Sequence, residues 1–258
     1  MGLGPPCWFN EDECIAADNR CTTGEELEVI LGVMQPYFLP YFEHFRLLAA
    51  CDRWVVFDVA QFTRKSWITR NRILNRDKGT AYISVPVRHT GLSTRIGDAA
   101  LDCGQNWRRS LLDRLLVYRS DAPHFAQVNA LLTATLAEDF QTISQLNIAL
   151  LKMACEHLAI KTPISFCSEL PLDLPSDSDP GEWALHISKR LGATEYRNPS
   201  GGKSLFDESQ YARHGIKLTF HEHRPITYLT GSFQFVPDLS IVDWMMWNDV
   251  ETLQAWLR

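Results

Sequence analysis

Three segments of the 258-residue chain gather side chains able to hold or activate a small molecule. The first, Gln35-Pro36-Tyr37-Phe38-Leu39-Pro40-Tyr41-Phe42-Glu43-His44, sets an amide, phenols and an imidazole around two prolines. The second runs from Gln61 to Arg72 and holds Arg64, Lys65, Arg70 and Arg72, four cations in nine residues, with Trp67 among them. Arginine grips a phosphate or carboxylate at two points, and an indole stacks on a ring. A solvated basic loop paired with Asp58, Asp77 or other acids is the alternative. The third, Asn198-Pro199-Ser200-Gly201-Gly202-Lys203, is flexible enough to turn backbone N–H groups toward an anion. It lacks the spacing of a phosphate loop, so a plain turn is its alternative reading.

Other candidates are weaker. His221 and His223 flank Glu222, and strand alternation would put both imidazoles on one face, for metal or acid–base chemistry or simply as exposed edge residues. Asn147 sits on an apolar helical stripe, where a polar group needs partners; a structural role fits it better than a catalytic one. The seven cysteines stand at 7, 14, 21, 51, 103, 155 and 167. Cys7, Cys14 and Cys21 recur every seven residues but lack the close CxxC pairs of structural zinc sites, so no metal is expected. No cysteine has a visible histidine partner, and a thiol nucleophile is unsupported.

The elements that must position these residues alternate. Apolar runs at 29–34, 53–58 and 81–87 read as buried strands, the first two joined by a helix over 42–50 in a βαβ unit. Helical periodicity follows over 107–118, 125–140 and 143–158. A strand at 163–167, a Pro/Ser/Asp loop at 171–180, a helix over 182–191 and a short strand at 194–196 come next. The half-exposed alternation at 216–220 marks an edge strand, and helices over 239–247 and 250–257 close the chain. The pattern predicts an α/β fold, a Rossmann-like and mainly parallel sheet with a helical cap (about 107–158) inserted after the third strand. Residues 28–258 are expected to form one domain behind a poorly ordered leader, 1–27. Each of the three segments then lies beyond the carboxyl end of a strand, where such sheets bind ligands.

Composition narrows the classes. Hydrophobic residues make up 45% and charged residues 22%, which excludes a disordered chain, a coiled-coil rod and a disulfide mini-protein. The net charge of −6 gives no general attraction to nucleic acid or anionic lipid. No apolar run approaches the ~20 residues of a membrane span, and no secretory signal opens the chain. A cytoplasmic protein with reduced thiols, acting on a small molecule without a bound cofactor, is the expectation.

These segments carry a resemblance. Met34-Gln35-Pro36-Tyr37-Phe38-Leu39-Pro40-Tyr41, followed by Phe57-Asp58, Gln61-Phe62 and Trp67-Ile68-Thr69-Arg70-Asn71-Arg72-Ile73, resembles the signature of the WbqC-like family. The likeness continues through Asn147, Ile160-Lys161-Thr162, Ser200-Gly201-Gly202, Gly215-Ile216 and Phe235 to Asp243. It implies a bacterial biosynthetic role in O-antigen or specialised small-molecule assembly, by acyl or aminoacyl transfer onto an amine. The chain departs from the family pattern at five positions. Glu43 stands for Gly, His44 for Tyr, Val59 for a second Asp, Thr69 for Asn and Thr230 for Gln, which would thin the polar lining of a pocket.

On that resemblance the site would comprise Asp58 as general base or orienter, His44 as a second base, and Gln61 and Asn71 on the acyl group or its oxyanion. Arg70 and Arg72 would hold an anionic group of the donor, which could be a coenzyme A thioester or an acyl carrier protein. Trp67 would wall the pocket with Gln35 and Tyr37, and Ser200, Gly201 and Lys203 would complete it. Tyr41-Phe42-Glu43-His44 also has a loose likeness to the HxGH helix start of Rossmann-like nucleotidylyltransferases, which keeps nucleotide-dependent ligation or nucleotidyl transfer as an alternative. A non-catalytic partner in a biosynthetic complex is a third.

Overall fold

The computed structural model describes residues 28–258 except 78, 89, 90, 92, 105 and 173–178. The leader with Cys7, Cys14 and Cys21 lies outside the described residues. The first apolar run forms β1 (Ile30–Met34), the middle of a five-stranded parallel sheet. Its neighbour β2 (Arg53–Val56) is reached through α1 (Phe42–Ala49). Beyond β2 lies β5 (Ile164–Phe166), and on the other side of β1 lie β6 (Glu195–Pro199) and the edge strand β7 (Lys217–His221), giving the order β5-β2-β1-β6-β7.

Parallel strands bury both faces, which is why β1 and β2 read as unbroken apolar runs. Gly32 interrupts β1 for a packing reason. It pairs in register with Trp54, and a Cβ at position 32 would sit 2.5 Å from the Trp54 ring.

The third apolar run is not a strand of this sheet. Residues Gly79–Ser84 form β4, which pairs antiparallel with β3 (Arg70–Asn75) in a separate two-stranded ribbon. β3 arises inside the basic segment. Its alternation puts Asn71 and Ile73 inward and leaves Arg70 and Arg72 half-buried on the opposite face.

Between the ribbon and β5 come α2 (Trp107–Leu115), α3 (Phe125–Leu136) and α4 (Ile143–His157). Thr142 and Gln145 start α4 with a reciprocal capping box. The chain then forms α5 (Pro180–Arg190) before β6 and α6 (Glu208–Arg213) before β7. It ends in α7 (Ile241–Trp247) and α8 (Val250–Leu257), with α7 packed on β3 and α8 on α1. No described helix is long and apolar enough to cross a membrane.

Connectivity sets where a ligand fits. From β1 the chain moves outward to β2 and β5, and from β6 it moves the opposite way to β7. The β1–β6 boundary is therefore the switch point, where the loops leaving adjacent strands diverge and open a crevice.

Candidate active site in the switch-point cleft

The loop leaving β1 is Gln35 to Tyr41. Two prolines deprive it of backbone donors, and it turns through Leu39 at φ 43°. Its buried carbonyls are satisfied from three distant elements. Asn147 of α4 donates to Pro36 O at 2.7 Å and Ile68 O at 2.9 Å. Asn71 of β3 donates to Phe38 O at 3.1 Å and Leu39 O at 2.7 Å. Ser240 Oγ donates to Leu39 O at 2.9 Å, and the Ile241 N–H donates to Pro40 O at 2.8 Å. Both asparagines are thus structural clamps. Asn71 shows an edge to the cleft, but its amide is committed to the backbone and does not hold an acyl group.

This clamped loop shapes a cleft with two adjoining lobes. The first, about 460 Å³, lies over the ends of β1 and β6. Its walls are aromatic, with Tyr37, Tyr41, Phe57, Trp67, Trp183 and Phe206, and Gly201 and Gly202 form part of the rim. Gln35 sits among these rings, half-buried, and makes no hydrogen bond to any described residue. The second lobe, about 290 Å³, shares Tyr37, Tyr41 and Trp67 and adds Arg72, His223 and Asp238.

Here His223 Nε2 lies 2.8 Å from Asp238 Oδ1. The guanidinium of Arg72 leans over Trp67 at 6.0 Å, forms no ion pair with a described residue, and keeps a buried Nε without a partner. The Tyr37 and Tyr41 hydroxyls also lack described hydrogen-bond partners. Burial raises the pKa of both, and Asp238 and Glu43 add to the rise at Tyr41, so they remain protonated donors.

Gln35, Tyr37, Trp67, Arg72 and Gly201 therefore meet at the cleft, with Asn71 at its edge. The other expected site residues do not. His44 lies within α1, covered by β6 on one side and α8 on the other, with its ring against Trp54 and Tyr37. Complete burial lowers its pKa to about 3, so it is a neutral core imidazole and not a base.

Asp58 follows Phe57 beyond the end of β2, and the two residues line different hollows. Its carboxylate accepts Ser168 N–H at 3.0 Å and Ser168 Oγ–H at 2.6 Å. It lines a separate hollow of about 190 Å³ with Arg95, Asp98 and Ser144, which has no lining residue in common with the cleft. Gln61 is exposed, bridges to Arg95 through its backbone and lines neither lobe. Arg70 is drawn away over the Tyr82 ring at 4.5 Å. Ser200 and Lys203 belong to the 3-10 turn Ser200–Leu205, and Lys203 lies over Phe220 at 5.7 Å, outside the cleft.

The paired histidines also separate. β7 ends at His221, so alternation does not carry on to His223. His221 faces Glu43 at 3.3 Å while His223 joins the polar lobe. Glu43 is itself buried and bonded twice to Arg46, at 2.8 and 3.0 Å. Burial pushes the Cys51, Cys155 and Cys167 thiols up to about 12, which removes them as nucleophiles at neutral pH. Sequence reasoning missed Asp238 and Phe206 as cleft residues and gave His223 no place in the site. The Pro-Asp pair at 237–238 was the available signal, since Asp at a turn tolerates the positive φ of 55° seen there.

The family model described as the WbqC-like protein family matches residues 35–255, from the amide of the cleft into α8. The chain belongs to the WbqC-like protein family. Its sequence is 28% identical over 218 residues to the uncharacterized protein Rv1507c of Mycobacterium tuberculosis (strain ATCC 25618 / H37Rv), covering 83% of this chain and 91% of that protein. No solved structure matches.

Within this WbqC-like fold, none of the five departing positions lines either lobe of the cleft. Glu43 and His44 are buried in α1, and Val59 borders the Asp58 hollow. Thr69 and Thr230 donate to Ser66 O and Phe233 O in local turns. These five positions fall on architecture and not on the lining of the switch-point cleft.

Proposed function

We propose that this WbqC-like protein is a transferase that joins an acyl or aminoacyl group to an amine or hydroxyl, taking it from an activated donor such as a thioester. The carrying observation is the His223–Asp238 pair, 2.8 Å apart, beside a cleft whose amide and phenols are uncommitted. A carboxylate that fixes an imidazole through one nitrogen leaves the other nitrogen to work as a base. His223 Nδ1 takes a proton from the acceptor as its nitrogen or oxygen attacks the donor carbonyl. The tetrahedral oxyanion is met by Gln35 and the Tyr41 hydroxyl. Collapse breaks the bond to sulfur, and the leaving thiolate takes the proton back from His223. The aromatic lobe excludes water, which would otherwise hydrolyse the donor.

This assignment moves the base from Asp58 and His44 to His223. The donor is a coenzyme A thioester or an acyl carrier protein, used in the cytoplasm for O-antigen or specialised small-molecule assembly. Nucleotidyl transfer is disfavoured because the imidazole it would require, His44, is sealed in the core.

The test is an assay of the full chain with a panel of acyl thioesters and amines, following free thiol and amide product together. Thiol release matched by amide is expected. His223→Gln should slow it by roughly 10²- to 10⁴-fold without lowering the melting temperature. Pyrophosphate release from ATP with no thioester turnover would make the protein a ligase. Tight substrate binding without turnover on any donor would make it a binding partner.

A further inference from the structure

The polar lobe contains donors that lack an acceptor. Arg72 Nε is buried and unpartnered, and its neighbouring Nη2 makes only a long 3.4 Å contact to Asp238 O. Nε and Nη2 form one edge of the guanidinium, the edge that grips a planar anion at two points. Arg72 lines the lobe and forms no ion pair with a described residue, so its guanidinium is left for a ligand anion to pair. Tyr37 and Tyr41 also line this lobe, and their hydroxyls have no described hydrogen-bond partner.

The charge count selects the anion. The ionisable side chains lining this lobe, besides the two phenols, are Arg72, His223 and Asp238. Arg72 is the permanent cation of this lining, and Asp238 already stands against it. A single ligand charge can pair with the guanidinium, whereas a phosphate monoester dianion would bring a second charge with no partner into a half-enclosed site. The second arginine that could have supported a dianion, Arg70, is held over Tyr82.

We infer that the polar lobe binds the carboxylate of the acceptor substrate, so that the acceptor is an amine or alcohol that also carries a carboxylate, as an amino acid or an amino-sugar acid does. The inference rests on the reading of the cleft as the substrate site. The carboxylate docks on the Arg72 guanidinium, which leaves the Tyr41 hydroxyl to the oxyanion. The body of the molecule crosses the shared walls Tyr37 and Trp67 toward the aromatic lobe, passing His223. Arg72 then orients the acceptor, not the donor.

Calorimetric titration of the full chain with 3-phenylpropionate, 3-phenylpropionamide and phenyl phosphate tests this without any turnover. The three probes share a ring for the aromatic lobe and differ in the polar group, a carboxylate, a neutral amide and a phosphate. The carboxylate is expected to bind roughly tenfold or more tighter than the amide, and tighter than the phosphate. Arg72→Gln should erase the preference, and Arg70→Gln should keep it. Equal binding of acid and amide, preference for the phosphate, or a carboxylate preference that survives Arg72→Gln would each overturn the inference. If Arg72→Gln does not fold, the comparison of the three probes on the unaltered protein decides. Charge-blind binding would defeat this inference alone, whereas failure of all three probes to bind would defeat the substrate-cleft reading with it.

Discussion

The switch-point cleft and the Asp58 hollow both sit beyond the carboxyl ends of parallel strands, and both hold polar side chains. They differ in what those side chains are already doing. In the hollow, both Asp58 oxygens are taken by Ser168 and Gln145 is spent capping α4, which leaves the Ser144 hydroxyl as the buried lining atom without a described partner. In the cleft, Gln35, the two tyrosine hydroxyls and Arg72 Nε have no protein partner among the described residues, and Arg72 Nη2 makes only a long contact to Asp238 O. A carboxylate at the end of a strand looks catalytic in a sequence. Whether it is depends on whether the fold has used up its hydrogen-bonding capacity. Satisfied groups hold shape, and unsatisfied ones at a cavity wall are available to a ligand.

The cleft exists only because its loop is clamped, so the largest effect is expected from removing a clamp. Asn147→Leu deletes the donors to Pro36 O and Ile68 O and strands two buried carbonyls. With about 1–3 kcal/mol per unsatisfied group, the loss should reach roughly 3–5 kcal/mol in urea unfolding. Ligand binding should fall in parallel, because Gln35 and Tyr37 flank Pro36. A stable variant with an intact cleft would show that the loop holds itself.

How much of this was legible follows from the same distinction. The sheet strands β1, β2 and β7 announced themselves because burial on two faces, or on one, leaves a clear apolar pattern. β3 did not. Arg70-Asn71-Arg72 reads as a polar loop, and nothing local reveals that Asn71 is buried to serve carbonyls more than thirty residues earlier in the chain. His44 misled for the reverse reason. α1 is covered on both sides, so a residue between Glu43 and Phe45 is buried whatever its polarity. Gln35, Tyr37, Trp67 and Arg72 were found because the loops after β1 and β2 must open at one end of the sheet. Asp238 belongs to the long segment between β7 and α7, which carries no periodicity to place it.

A carboxylate fully enclosed by the fold gives the next test. Asp243 accepts from Tyr118 at 2.6 Å and Tyr228 at 2.5 Å, and burial outweighs these bonds to raise its pKa from 3.8 to about 6. The folded protein therefore holds a proton that the unfolded chain has released between pH 4 and 6. Stability should be greatest below about pH 4 as far as this group is concerned, and should fall as pH rises through 6, by roughly 3 kcal/mol in all. Urea midpoints across this range, compared with those of Asp243→Asn, isolate the contribution. The variant should lose the downward slope. An identical slope in both proteins would show that Asp243 is ionised throughout.

The smallest effect discriminates best, because it falls on the residue that sequence reasoning favoured as the base. Asp58→Asn keeps the shape of the side chain. Its carbonyl oxygen can still accept the Ser168 N–H, and its amide can donate to the Ser168 hydroxyl once that hydroxyl rotates. What goes is the charge assistance in the two bonds, a difference of about 1 kcal/mol. Unfolding should register that loss. Binding of 3-phenylpropionate in the cleft and turnover on any thioester should stay within about twofold of the unaltered protein, because Asp58 lines a hollow with no wall in common with the cleft. His223→Gln should do the opposite, sparing stability and removing turnover. If Asp58→Asn instead abolished turnover while leaving stability intact, the chemistry would belong to the hollow, with Arg95 and Ser144 around it. The switch-point cleft would then be at most a vestibule, and the comparison between the two regions would be reversed.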